Sequence, residues 1–173
     1  MALGNVRSVA EHVLLLGDDA GSFRHIGATA GGDLHTFAHR TLTETVDVTL
    51  NDSDKTFTVP ADRLWWIHLI HIDFISTASG GDRVIRMFIT ADGTNTMLSH
   101  HLPLAQAANL NRRYTFAPTY PENTGFNGFD ALLPLPSRLL IPAGGTLRIL
   151  DNNVVDLTGD DMLIRIQHDE IVV

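Results

Sequence analysis

The sequence predicts an all-β protein: an antiparallel two-sheet β-sandwich of jelly-roll type with an extended N-terminal arm. The clearest support is near the C-terminal end, where apolar runs at 135–142 and 146–151 meet at Gly144-Gly145 and a third run follows at 161–167. Apolar runs separated by Gly, Asn and Asp are typical of strands joined by turns, and the Gly-Gly pair predicts a hairpin. Composition agrees, because the acidic residues are sixteen Asp to four Glu and the basic residues eleven Arg to one Lys, so that the helix-favouring residues Glu and Lys are nearly absent.

Charge and composition exclude several classes of partner. The chain has 173 residues, enough for one domain with its own core, and a formal net charge of -8. That charge argues against nucleic acid, because binding to phosphates needs clustered Lys and Arg. The absence of cysteine excludes disulfides and thiolate metal sites. No targeting segment and no apolar run of membrane-spanning length is visible, so we expect a soluble protein made in the cytoplasm, with no membrane partner.

The N-terminal part differs from the rest of the chain. Residues 1–40 combine a short apolar segment with a Gly- and His-rich stretch, which suggests an arm docked onto something else. Within it, Val6, Val9, Ala10 and Val13 match helical spacing, whereas residues 13–16 would equally suit a strand. Residues 41–173 are predicted to form the sandwich.

Strand signals follow one another from residue 41. In the first strand the threonines alternate with apolar residues and so point to the opposite face, which leaves one face in solvent; the apolar residues are Leu42, Val46, Val48 and Leu50. Phe57 and Val59 mark a short return strand. Residues 64–77 are apolar on both faces, as in a central strand. Two further turns are predicted, a hairpin at Gly80-Gly81-Asp82 and a turn at Asp92-Gly93.

The pattern is least regular between about residues 100 and 130. This stretch is predicted to be a long insertion loop, with one or two helical turns at 104–110. A loop of this length is usually functional or packed on a neighbour. Its aromatic and arginine side chains either anchor an interface or cover the end of the domain's own core. The candidate interface residues are Arg112, Arg113, Tyr114, Phe116, Tyr120 and Phe126.

His71 and Asp73 are candidate metal ligands. Residues two apart on a strand share a face, and His-x-Asp with a distant His is the ligand set of non-haem iron oxygenases. Nothing singles out a third ligand among His100, His101 and His168, so a hydrogen-bonded polar pair is the preferred interpretation. His68, three residues before His71, is expected on the opposite strand face unless a bulge intervenes.

The acidic loop at 151–161 suggests either calcium, which prefers carboxylate ligands, or Asx turns at strand ends. Its spacing does not follow the EF-hand pattern, and Asx turns are preferred. No nucleotide-binding, nucleophile-elbow or zinc-protease motif is present. We therefore expect no enzymatic activity, no cofactor and no small-molecule substrate.

Several stretches resemble small jelly-roll structural proteins of tailed bacteriophages. They are residues 133–136, 140–149 and 160–162, the central region 65–89, and the Gly-Asp segment at 31–34. The resemblance implies a component of the virion, above all a cement or decoration protein of the capsid surface, assembled in the cytoplasm of the host bacterium. It further implies contacts with the major capsid protein and with copies of itself as a homotrimer, bridging capsomers.

Two alternatives stay open. Within the same class, the chain could belong to the head-tail junction, the tail or a spike. From a different class, it could be a small metal-dependent jelly-roll enzyme that uses His71 and Asp73.

Overall fold

The computed structural model describes most of the chain, with side chains from residue 41 onward. The described residues are 14–17, 23–28, 34–36, 40–50, 53–121, 125–156 and 158–173. The chain divides into two units, Met1–His39 and Arg40–Val173. Within the described ranges, no helix is long and apolar enough to cross a membrane.

The first unit contains a small antiparallel sheet. Its strands are β1 (Leu14–Gly17), β2 (Phe23–Ala28) and β3 (Leu34–Thr36), in the order β1-β2-β3. Of the segment at 13–16 that would suit a strand, residues 14–16 lie in β1; the helical spacing at Val6, Val9, Ala10 and Val13 falls outside the described residues. That this unit acts as an arm stays a prediction.

The second unit is a jelly roll of two sheets. Its strands are β4 (Arg40–Asp47), β5 (Asp54–Thr58), β6 (Arg63–Ile75), β7 (Arg83–Thr90), β8 (Thr96–Gln106), β9 (Asn111–Ala117), β10 (Asp130–Pro134), β11 (Leu139–Ile141), β12 (Thr146–Asp151) and β13 (Asp161–Val172). The larger sheet has the order β10-β9-β6-β13-β4, with β11 also paired to β6, and the smaller sheet has the order β5-β12-β7-β8. Successive strands cross repeatedly between the sheets, as in the two Greek keys of a jelly roll. The predicted fold class is confirmed, although β9 and β10 pair in parallel.

The core forms where the two sheets face each other. In β13 the burial alternates, so that Met162, Ile164 and Ile166 are buried while Arg165 and Gln167 are exposed, as predicted. The same alternation runs along β7. Each fully buried large apolar side chain contributes about 1.5–3 kcal/mol.

The two Gly-Gly turns are not hairpins. Gly80-Gly81 carries the chain from β6 to β7 and Gly144-Gly145 carries it from β11 to β12, in each case from the larger sheet to the smaller one. The predictions were wrong because glycine permits a sharp turn without specifying which strands then pair. At Gly145 a Cβ would lie 2.7 Å from the carbonyl oxygen of Thr90, so a larger residue would force the backbone apart.

The turn at Asp92-Gly93 was predicted correctly. It joins β7 to β8, which pair as an antiparallel hairpin. Asp92 Oδ1 accepts hydrogen bonds from the backbone N–H of Thr94 (2.9 Å) and of Asn95 (2.7 Å), and Gly93 has a φ of 77°. An Asp that bonds the backbone ahead of it is the usual chemistry of such turns.

The long loop predicted at 100–130 is wrong over most of its length. Strands β8 and β9 occupy most of residues 100–117, and no helical turn forms at 104–110. The pattern was hidden because Gln106 is polar yet fully buried, with its side-chain amide donating to the carbonyls of Phe74 (3.1 Å) and Leu110 (2.9 Å). Among the described residues of this stretch, irregular chain lies at 107–110, between β8 and β9, and in the connection between β9 and β10.

The alternation predicted for β4 is present, but its solvent face is the apolar one. Leu42, Val46, Val48 and Leu50 are between 47% and 70% exposed. The opposite face is half-buried and polar, since Thr45 Oγ1 bonds His168. We call the exposed residues Leu42, Glu44 and Val46 of this strand, together with Val48 directly after it, the β4 row.

A buried ion pair ties the crossing from β6 to β7 to the start of β13. The Arg83 and Asp160 side chains are fully buried, with Nε–Oδ2 at 2.8 Å and Nη2–Oδ1 at 3.0 Å. Arg83 Nη1 also donates to the carbonyls of Ser79 and Gly81, both at 2.7 Å, and Asp160 accepts from the Thr77 N–H at 2.6 Å. Burial opposes ionisation of Asp160, but the bonds from Arg83 and Thr77 outweigh it and hold its pKa below the usual value.

His168 is a buried histidine beside the edge strand. Its ring stacks on Trp65 with centroids 4.1 Å apart, and its Nε2 lies 2.9 Å from Thr45 Oγ1. Burial lowers its pKa, and the nearby Glu170 and Asp169 offset this only in part. The imidazole is therefore kept neutral at pH values where an exposed histidine is already charged.

We expect His168 to make the fold sensitive to mild acid. Its folded pKa lies below the unfolded value of about 6.5, so stability is complete above that pH and is lost as pH falls below it, when only the unfolded chain takes up the proton. Urea unfolding between pH 7 and pH 5 measures this loss. His168→Phe keeps the aromatic stack and should show a shallower dependence; equal slopes for the two proteins would contradict the assignment.

Candidate interaction surface

The candidate surface lies where β9 and β10 run side by side at one edge of the larger sheet. The connection before β10 brings Phe126 and Phe129 back over Arg112, whose guanidinium carbon lies 4.9 Å and 5.6 Å from their ring centroids. Arg112 Nη1 also donates to the carbonyl of Gly128 at 2.7 Å. A guanidinium at these distances is attracted to the aromatic faces, which fixes the connection against β9.

Arg113 and Asp130 form a second, polar part of the surface. They are neighbours in the parallel register, with Nε–Oδ1 at 2.7 Å and Nη2–Oδ2 at 3.0 Å. This two-point geometry is the strong form of an arginine-carboxylate pair. Because both side chains are about half exposed, the pair contributes little to stability and mainly fixes the two groups in place.

Phe129 is the most prominent group of this surface. It is 64% exposed, and with Asp73, Asn111 and Arg113 it lines an open depression of about 420 Å³. Phe126, in contrast, packs against the core and meets the ring of Tyr114 edge-on at 5.5 Å. We call Arg112, Arg113, Phe126, Phe129 and Asp130 together the Phe129 surface.

The structure brings together three of the six predicted interface residues. Arg112, Arg113 and Phe126 lie in the Phe129 surface, whereas Tyr120 lies half-buried in the turn after β9. Phe129 and Asp130, which complete the surface, were not among the predicted residues. The sequence signal that could have identified them is an aromatic residue, Phe129, directly before the acidic residue Asp130 with which β10 begins.

Tyr114 and Phe116 lie in the core instead of on the surface. Both are fully buried on β9, on the face that points between the sheets. The Tyr114 hydroxyl donates to Gln106 Oε1 at 3.1 Å, and burial raises its pKa well above the usual range. Their side chains are therefore not on the surface that a partner would meet.

His71 and Asp73 lie on the outer face of β6, as their spacing predicted. Nε2 of His71 is 3.6 Å from Asp73 Oδ2, and its Nδ1 is 2.9 Å from Thr115 Oγ1. Among the described residues, no three histidines or acidic residues are placed to hold a metal ion. Of the three histidines considered as a third ligand, His168 points into the core and His100 lies edge-on to the buried Phe116.

His68 does not lie on the face opposite to His71. A β-bulge falls here, because Ile67 is opposite His168 while Leu69 is opposite Gln167, which leaves His68 as the extra residue. The bulge turns His68 outward, where its Nε2 meets Asp169 Oδ2 at 2.8 Å. The spacing argument failed because strand alternation breaks at an inserted residue.

The acidic loop between β12 and β13 uses its carboxylates to shape the backbone. Asp151 Oδ1 accepts from the N–H of Asn153 at 3.1 Å, and Asp156 Oδ1 accepts from the N–H of Gly159 at 3.1 Å. Asp160 is held in the buried ion pair. These are the contacts of Asx turns, and the carboxylate oxygens already accept bonds from the protein itself.

The chain has no matching protein-family model and no matching curated protein. Weakly similar folds occur in three structures of infectious bursal disease virus: a VP2 subviral particle (12% identity, TM-score 0.30), the Gx strain (8%, 0.28) and T=1 particles (7%, 0.30). The aligned regions cover 82%, 92% and 86% of this chain, but only 35%, 50% and 37% of the viral chains. The chain thus spans between about a third and a half of their length, and nothing about their assembly transfers to it at this similarity.

Proposed function

We propose that the chain is a structural protein of a virion, a cement or decoration protein that binds the capsid surface of a tailed bacteriophage without catalysing a reaction. The observation that carries the proposal is the Phe129 surface, an exposed aromatic ring held in a fixed setting outside the core. The sequence resemblance to jelly-roll phage proteins and the jelly-roll topology support it.

The chemistry of the surface suits a protein partner. Aromatic residues and arginine are enriched at protein interfaces, and they supply most of the residues whose truncation costs binding energy. Phe129 offers a ring that loses its solvent contact on binding, and the Arg113–Asp130 pair beside it offers fixed donors and acceptors. The partner proposed is the major capsid protein, with copies of this chain as neighbours in a homotrimer.

We expect the recombinant chain to bind purified particles of the source phage that lack it, at many copies per particle. Phe129→Ser should weaken this binding at least tenfold, about 1.4 kcal/mol, because it removes the exposed ring. Leu140→Ser is the matched control, since Leu140 is an exposed apolar residue on β11, outside the Phe129 surface. Quantitative mass spectrometry of sedimented particles measures the copy number.

No binding by the unchanged chain would overturn the proposal, and equal binding by the two serine variants would remove the Phe129 surface from it. Six or twelve copies per particle would favour the head-tail junction or tail over the capsid surface.

A further inference from the structure

The β4 row is an unusual surface for the edge of a sheet. Strand β4 ends the larger sheet, and among the described residues no strand pairs with its second edge. Edge strands are normally protected by lysine, proline or a bulge, because free backbone groups template pairing with another chain. Residues 41–48 contain neither lysine nor proline, and three of the four residues of the β4 row are apolar, the exception being Glu44.

We infer that β4 is a two-fold interface, at which a second copy of this chain adds its own β4 antiparallel to extend the larger sheet. A two-fold contact brings the same patch from each copy together, so the patch must be complementary to itself. The β4 row meets this requirement in a register centred on Thr45. Leu42 then lies opposite Val48 of the second copy, and Val48 opposite its Leu42.

The same register satisfies the charges of the row. Arg165 is the β13 neighbour of Val46, and both Arg165 and Glu44 are exposed on this face. In the register centred on Thr45, Glu44 of one copy lies opposite Val46 of the other. Adjacent strands are about 4.8 Å apart, so the backbones of Glu44 and of Arg165 in the other copy are about 10 Å apart, with only Val46 between them. Two symmetric ion pairs span that distance.

The register centred on Glu44 lacks this complementarity. Shifting the centre by one residue to Glu44 sets the two Glu44 carboxylates directly opposite each other, and like charges in that position are destabilising. Beta-strand addition of this kind takes its affinity from main-chain hydrogen bonds and its specificity from alternate side chains. The inference does not depend on the proposed capsid role: the homotrimer proposed above would form on the capsid surface, whereas the two-fold dimer would form in solution without any virion.

The test is the molar mass of the purified full-length chain by sedimentation over a wide range of concentration. We expect a monomer-dimer equilibrium, and Val46→Lys should raise the dimer dissociation constant at least tenfold. Leu132→Lys is the matched control, because Leu132 is exposed on β10 at the other edge of the same sheet.

Charge reversal tests the register itself. Glu44→Arg and Arg165→Glu should each weaken the dimer, and the double variant should restore it. Because Arg165 pairs with Val46, it is also a diagonal neighbour of Glu44 within one chain, so the urea unfolding of each variant is measured in parallel and should change far less than dimerisation. If the unchanged chain is monomeric at every concentration, the inference is overturned. If the backbone amides of β4 are then still protected from hydrogen exchange, another part of the same chain covers the edge of β4. A dimer unaffected by Val46→Lys, or not restored by the double reversal, would overturn it as well.

Discussion

Replacing Arg83 by methionine is expected to lower the free energy of unfolding by about 3–5 kcal/mol. The change leaves the Asp160 carboxylate buried without its charged partner, and it removes the donors to the Ser79 and Gly81 carbonyls. An uncompensated buried charge is among the costliest defects in a protein interior. Urea unfolding at pH 7 measures the loss.

An exposed ion pair in the same unit provides the comparison. Arg148 pairs with Asp54 across β12 and β5, and both side chains reach solvent. Arg148→Met is expected to cost no more than about 1 kcal/mol, because such pairs gain little against water. Similar losses for the two methionine variants would show that burial of the Arg83–Asp160 pair has no energetic consequence.

Replacing Phe116 by alanine is expected to lower the free energy of unfolding by about 3–5 kcal/mol, although from the sequence this residue was a candidate for an interface as well as for the core. Its ring is fully buried on β9 and lies edge-on to His100 at 6.4 Å. Truncation removes a large apolar group and leaves a cavity that the two sheets cannot close without moving. Thermal or urea unfolding of the purified variant measures the effect.

Phe129→Ala is the control, the same substitution at an exposed ring. It should change stability by no more than about 0.5 kcal/mol, as is usual for surface sites. The pair of variants thus separates a core aromatic from an interface aromatic within one stretch of sequence. A large loss of stability in Phe129→Ala would show that Phe129 supports the fold, which would weaken the proposed binding role.

The sequence was sufficient to predict the fold class and several strand positions, because apolar alternation follows directly from strand geometry. The inward set Met162, Ile164 and Ile166 and the turn at Asp92-Gly93 are of this kind. Strand pairing was not predictable in the same way. The glycine pairs looked like hairpins, but which strand lies beside which depends on contacts between residues far apart in the chain.

The candidate surface was predictable only in part. Arginine and aromatic residues between 112 and 126 indicated an interface, but tertiary packing decides which of them stay outside. Alternation along β9 sends Tyr114 and Phe116 inward and leaves Arg113 in solvent. The exposure of the β4 row was not predictable from the sequence, because apolar residues at alternate positions normally face a core. In β4 it is the opposite, polar face that lies inward, where Thr45 bonds His168.

The central place of β13 in the larger sheet governs when this unit can finish folding. Strand β13 lies between β4 and β6, so the sheet has a gap in its middle until the residues of β13 have left the ribosome. Pairings between segments so distant in sequence form slowly, because a long loop must close before any contact stabilises it. Until β13 is bound, the edges of β4 and β6 that receive it are both unpaired, so two chains that meet before this step is complete can exchange β13 between copies.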